Sequence, residues 1–183
     1  MIARIILLNG AGSAGKSSIA KALQTLTEAP FLHVQMDTFL DMMPEPLQTH
    51  PDGISYEEGE TDDQSSVAVK VGPVGARLLR GMRHAIAAMA GQGNNLIVDD
   101  VLCDSEILDY QELLSAFDLH VVGVSAPLHV LEQREAARGD RLIGLARWQF
   151  DRVHRGIDYD LVVDSNVLSP FECARRIKDK FGL

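Results

Sequence analysis

Gly10-Ala11-Gly12-Ser13-Ala14-Gly15-Lys16-Ser17 matches G-x-x-x-x-G-K-[ST] at every fixed position. Ahead of it, Ile2–Leu8 is a short apolar run that reads as a buried strand. Behind it, Ile19, Leu23 and Leu26 fall on one helical face. Strand, glycine-rich turn and helix, in that order, is the context a phosphate loop requires. Glycines let successive backbone N–H groups converge on a phosphate without side-chain clash. The helix N-terminus adds its partial positive charge. Gly10, Ala11, Gly12, Ser13, Ala14, Gly15, Lys16, Ser17 and Ser18 are therefore the candidate nucleotide-binding stretch. Lys16 is assigned to the β- and γ-phosphates of ATP, and the Ser17 hydroxyl to Mg²⁺.

Working outward, Phe31–Met36, Leu96–Val98, Leu119–Val124 and Asp160–Val163 are further short runs rich in Val, Ile or Leu. Near-continuous apolar strands mark a parallel sheet covered on both faces. Helical spacing fills the gaps. Val74, Leu78, Met82, Ile86 and Met89 make one stripe, opposite Arg77, Arg80 and His84, and Gly91 and Gly93 close that helix. Ile107, Leu114 and Phe117 make a second stripe. Ser169-Pro170 opens a capped C-terminal helix with proline at its first position. This alternation predicts an α/β fold, a three-layer doubly wound parallel sheet of about five strands. One domain over 1–183 is expected, with no repeat and no linker. Pro44–Asp63 is the least regular stretch, and Glu57–Asp63 packs five acids into seven residues. It reads either as a solvated loop or as part of a substrate flap over about 44–72.

The 183 residues carry 17 Lys+Arg against 26 Asp+Glu, a formal net charge of −9. That balance argues against a nucleic-acid or anionic-membrane partner, which needs a basic face. Any phosphate site must then hold its positive charge locally. Six arginines against three acids between Arg134 and Arg155 supply such a place. Cys103 and Cys173 are too few for a disulfide scaffold and read as reduced thiols. The N-terminal apolar run is shorter than a signal-peptide core, and no stretch approaches the ~20 residues of a membrane span. The cytoplasm is the expected compartment, and the expected partner is a small molecule. Homo-oligomerisation stays open.

Three further groups carry chemistry. Leu96-Ile97-Val98-Asp99-Asp100 is an apolar strand ending in acid, where a carboxylate supports Mg²⁺ beside Ser17. Adjacent strand residues face opposite ways, so one of Asp99 and Asp100 serves, and the pattern leaves the choice open. Asp37 ends the second strand, so it faces the same crevice as the phosphate loop. It can accept the proton of an attacking hydroxyl, or it can cap a helix over Thr38–Met43. Arg134, Arg138 and Arg141 are spaced by four and three, so they share one face of a helix that persists that far. They suit either a lid over phosphate, about 134–145 with Gly139 as hinge, or a solvated helix paired with Glu135 and Asp140. His33, His84, His120, His129 and His154 show no ligand spacing and read as structural. Trp148 and Phe150 read as core.

Together these stretches resemble the chloramphenicol 3-O-phosphotransferase family of P-loop kinases over nearly the whole chain. Ile6 through Ser17, Asp37 through Pro44, Gly72-Pro73, Ile97 through Val101, Arg134 through Arg141 and His154 through Asp160 carry the resemblance. It implies ATP as donor and Mg²⁺ as cofactor, with a hydroxyl of chloramphenicol or a related compound as acceptor. Asp37 would be the general base, while Lys16 and the lid arginines, Arg138 among them, would stabilise the transferred group. A metabolic kinase for a nucleoside or sugar acid, or a non-catalytic nucleotide-binding regulator, are the alternatives. The acidic run Glu57–Asp63 departs most from the antibiotic-modifying member and bears on the acceptor alone.

Overall fold

A computed structural model of the chain describes residues 2–61, 64–103, 105–139 and 142–183. In chain order its elements are β1 (Arg4–Asn9), α1 (Lys16–Leu26), β2 (Phe31–Gln35), α2 (Met36–Leu40), β3 (Ile54–Thr61), β4 (Gln64–Val71), α3 (Pro73–Gly91), β5 (Asn95–Asp100), α4 (Glu106–Leu113), β6 (Asp118–Ser125), α5 (Leu128–Arg138), α6 (Leu145–Phe150), β7 (Leu161–Asp164) and α7 (Pro170–Phe181). Five of the strands form one parallel sheet in the order β2-β5-β1-β6-β7. Each apolar run of the sequence becomes one of these strands.

Strand alternation divides the core in two. Ile6, Leu8 and Ile97 face α1 and α7, packing with Ile19, Leu23, Cys173 and Ile177. Ile5, Leu7, Leu96 and Val98 face α3 and α4, packing with Met82, Ile86, Ile107, Tyr110 and Leu114. Most of these side chains are wholly buried, each contributing about 1.5–3 kcal/mol of transfer free energy. Met82 and Ile86 of the expected α3 stripe are buried, and the buried face widens by one position round the helix. Gly75, Met82, Arg83, Ile86 and Ala90 are its buried residues, and Arg83 is held there by Glu106 and Asp109 at 2.6 and 2.9 Å. The C-terminal helix has the expected cap. Ser169 and Glu172 exchange hydrogen bonds in a capping box, with Pro170 at the first helical position.

Two expectations need correction. Pro44–Asp63 is not one irregular loop: Ile54–Thr61 pairs antiparallel with Gln64–Val71 as a hairpin outside the main sheet. Ile54 and Tyr56 sit opposite Val71 and Val69, so a period-two apolar face runs through the stretch beside the acidic one. The arginine helix also ends earlier than the spacing requires. Gly139 takes φ 70° and terminates α5 after Arg138, and Asp140 and Arg141 lie outside the described residues.

Before that turn, Glu135 is buried rather than solvated. Its carboxylate accepts from the Gly144 and Ala146 amides, both at 2.8 Å, and so caps α6 from the last turn of α5. Charge-assisted bonds to two otherwise orphaned amides are the strong kind. Glu135→Ala should lower the unfolding free energy in urea by about 2–3 kcal/mol, and Glu135→Gln, which keeps one acceptor, by less.

Candidate active site

A cavity of about 240 Å³ opens at the carboxyl ends of the parallel strands, where ligand crevices of such sheets lie. The phosphate loop forms one wall. Ser13 and Gly15 take φ 63° and 91°, the left-handed turns that bring successive amides to one side. Gly10 tolerates no side chain, since a Cβ there would stand 2.3 Å from the Val124 carbonyl oxygen. Lys16 is buried, and its Nζ donates to the Gly10 and Ala11 carbonyls at 2.7 and 3.1 Å. The ammonium is thus already placed under the loop that would hold a phosphate.

Asp99 and Asp100 separate by strand alternation. Asp99 shares the face of Ile97, toward α1. Its Oδ2 accepts from Ser17 Oγ at 2.6 Å, and its Oδ1 lies 4.0 Å from Lys16 Nζ. Burial works against ionisation there. The His33 ring, the Lys16 charge and the Ser17 hydroxyl outweigh it and hold the carboxyl below its ordinary range. Asp100 shares the face of Val98 and points away from the cavity, accepting from the Tyr110 hydroxyl at 2.7 Å and the Val101 amide at 2.8 Å. Burial pushes its carboxyl up, against those two bonds. Ser17 and Asp99 together offer hard oxygen donors. Among the described residues no group of three or more His, Cys, Asp and Glu is arranged to hold a metal. That donor set fits Mg²⁺, which binds through one or two protein oxygens and completes its shell with phosphate and water.

Asp37 lies in the first turn of α2, exposed and lining the cavity. The helix begins at Met36 rather than Thr38, and Gln35 occupies the capping position without a side-chain cap bond. Asp37 is therefore not the cap. The three arginines part company. Arg138 lines the cavity. Arg134 instead donates to the Ser165 carbonyl at 2.8 Å, to Ser165 Oγ at 3.1 Å and to the Ser13 carbonyl at 3.5 Å, bracing the phosphate loop against the end of β7. Arg141 lies outside the described residues.

Sequence reasoning passed over several residues that build this site. Trp148, read as core, is half-buried and lines the cavity with Leu145 and Gln149 from α6, whereas Phe150 does pack into the core. Gln149 Oε1 accepts from the Gly12 amide at 2.6 Å. Asn9 precedes the loop and ties it down. Its Nδ2 donates to Tyr159 Oη at 2.7 Å, its Oδ1 accepts from the Leu102 amide at 2.8 Å, and Tyr159 Oη sits 2.7 Å from His154 Nδ1. Burial and the nearby Lys16 charge keep the His154 imidazole below its ordinary value, so the ring is neutral near pH 7. No short-range spacing announces these residues, because each is joined to its partner by the fold.

The wall facing α6 belongs to the hairpin and its neighbours: Ile54, Tyr56, Val69 and Val71, with Leu40 and Leu79. The charged residues lining the cavity are Lys16, Arg138, Asp37, Asp99 and Glu106, and Glu106 is paired with Arg83. The arrangement can hold a polyphosphate at one end and a mainly apolar molecule at the other, with a carboxylate at the junction. Among the described residues, no helix is long and apolar enough to cross a membrane.

Comparison with known proteins agrees with this geometry. Residues 3–182 match the family model described as chloramphenicol phosphotransferase-like protein. A Mycobacterium tuberculosis protein named "Putative O-phosphotransferase" is 30% identical over 184 residues, covering 97% of this chain and 82% of that protein. Among solved structures, an unliganded sugar kinase from Janibacter superposes with a TM-score of 0.71 at 19% identity, covering 98% of this chain and 95% of its own. The M. tuberculosis APS kinase bound to AMPPNP and APS gives 0.68 at 18%, covering 99% and 98%. At such identities these two likenesses speak for the fold.

The two aspartates should respond differently. Asp99→Asn should abolish the Mg²⁺-dependent gain in nucleotide affinity seen by calorimetry, and Asp100→Asn should leave it within about threefold. Without nucleotide or metal, the depressed folded-state value of Asp99 means that its ionised form adds stability above the ordinary carboxylate range. That increment is lost as pH falls through the folded value. The stability gap between wild type and Asp99→Asn should accordingly be larger at pH 7 than at pH 3.

Proposed function

We propose that this chain, which belongs to the chloramphenicol phosphotransferase-like family and is by family and fold a P-loop small-molecule kinase, transfers the γ-phosphate of ATP to a hydroxyl of an uncharged, largely apolar compound such as chloramphenicol. The observation that carries the reading is the composition of the cavity. Among the described residues, the cations lining it are Lys16 of the phosphate loop and Arg138 of the last turn of α5, and its hairpin wall is apolar and aromatic. Binding a sugar acid or another anionic acceptor would call for a cation at the hairpin end. Among the described residues lining the cavity, the charged groups besides Lys16 and Arg138 are the carboxylates Asp37, Asp99 and Glu106.

The chemistry follows from the placement of the side chains. An acceptor lying between Trp148 and the Tyr56 face would bring its hydroxyl to Asp37. The carboxylate orients that hydroxyl and takes its proton as the oxygen bonds to the γ-phosphorus and the bond to the ADP oxygen breaks. Lys16 and Arg138 offset charge on the oxygens of the transferred group. Mg²⁺, held by Ser17 with Asp99 and by the phosphates, would supply neutralisation of the β- and γ-oxygens. The apolar walls exclude water, which would otherwise compete for the phosphoryl group. Cytoplasmic action on a small molecule, with no nucleic acid or membrane partner, goes with this reading.

The test is a panel of neutral, cationic and anionic alcohols incubated with ATP and Mg²⁺, scored by ADP release and by a product heavier by one phosphoryl group. Neutral, apolar alcohols should be the acceptors that turn over; turnover confined to acids would overturn the acceptor assignment. With an active acceptor, Asp37→Asn should lower kcat by about 10²–10⁴ while nucleotide affinity stays within about twofold. Lys16→Ala should weaken nucleotide binding itself.

A further inference from the structure

Gln149 belongs to no motif read from the sequence, yet it meets the phosphate loop directly. Its side-chain carbonyl accepts the Gly12 N–H at 2.6 Å, a bond that fixes which end of the carboxamide faces the loop. The Nε2 end is thereby turned away from Gly12. Gln149 is 6% exposed and lines the cavity. A carboxamide whose oxygen is committed to a backbone amide has only its N–H₂ donors left to offer a ligand in that cavity.

The helix that carries Gln149 is held from three sides. The Glu135 carboxylate caps its N-terminus, the Gly144 carbonyl at that terminus accepts from the Val67 amide of the hairpin at 3.2 Å, and Gln149 itself grips Gly12. A short helix fixed in this way is a rigid mount. Its cavity face presents Leu145 and Trp148 toward the acceptor wall and Gln149 toward the loop. Gln149 therefore joins the phosphate loop to the helix that lines the cavity with Leu145 and Trp148. Gly15, Lys16 and Ser17, at the start of α1, lie at the far end of the loop.

We infer that Gln149 is a catalytic residue in its own right, whose Nε2 donates to an oxygen of the terminal phosphoryl group while Oε1 keeps the Gly12 amide in place. This rests on the kinase reading above and adds to it a donor outside the phosphate loop and the arginine helix. It makes the chain sensitive to whether a γ-phosphate is present, because ADP lacks the phosphoryl group that Nε2 meets.

The experiment measures the Kd of ADP and of AMP-PNP, each with Mg²⁺, for wild type, Gln149→Leu and Gln149→Glu, with the melting temperature of each variant alongside. Gln149→Glu keeps shape and acceptor but replaces the donor with an anion. It should weaken AMP-PNP at least tenfold and ADP less than threefold, with Gln149→Leu weakening AMP-PNP by a smaller factor in the same sense. Equal weakening of both nucleotides would reduce Gln149 to a support for the loop and overturn the inference, as would no change in either. Should Gln149→Leu fail to fold, the isosteric Gln149→Glu decides alone. Wild-type chain that binds neither nucleotide would bring down the kinase reading together with this one. Wild-type binding with unaltered variant selectivity would bring down this one only.

Discussion

The hydrogen bond from Ser17 to Asp99 joins the first residues of α1 to the last residues of β5 across 82 positions of sequence. It forms because β1 and β5 are parallel neighbours in register, Leu8 beside Asp99 and Asn9 beside Asp100, so the phosphate loop and the acidic strand end emerge at one edge. A one-residue slip in that register would turn Asp99 toward α4 and bring Asp100 to the loop. The apolar side chains on both faces of β1 and β5 prevent the slip, since each has its partners on one side only. Core packing thus decides which carboxylate meets the hydroxyl. The alternation that gives Asp99 its charged neighbours gives Asp100 a tyrosine and burial.

A second set of long-range bonds holds the other half of the site. Glu135, buried at the end of α5, caps α6. That helix in turn touches the phosphate loop through Gln149 and the hairpin through Gly144. Arg134, one residue earlier, braces Ser13 against Ser165. One turn of α5 therefore does structural work with two charged residues and leaves Arg138 to face the cavity. A buried carboxylate survives here because both its oxygens accept from amides that have no helical partner of their own.

Much of this was legible in the sequence. The five apolar runs, the phosphate loop and the strand-end carboxylates define the sheet and its functional edge, because these signals are local and periodic. The choice between Asp99 and Asp100 was not legible, since it needs one strand residue anchored to a known face. The hairpin was hidden because five acids in seven residues masked an alternation that becomes plain only when Ile54 and Tyr56 are set against Val69 and Val71. The spacing of Arg134, Arg138 and Arg141 does not show where α5 stops, because its end is set by Gly139 in the left-handed region after Arg138. Gln149 gave no signal and Trp148 read as core, while Asn9 and Tyr159 stood only inside stretches of family resemblance, their partners lying far away in the chain.

The acids of the hairpin have a meaning apart from catalysis. A ribbon of two strands leaves backbone groups unpaired along its outer edges, the Val67 amide bonded to Gly144 apart, and such edges recruit further strands from other chains. Its inner face must stay apolar to form a pocket wall, so the usual defence of making both faces polar is closed. Glu57, Glu58 and Glu60 lie along β3, and Asp62 and Asp63 follow it in sequence. Glu57 and Glu58 put like charges on β3, which is how natural sequences guard exposed strands against aggregation. Neutralising Glu57 and Glu58 would remove that guard from the ribbon, at a cost in solubility.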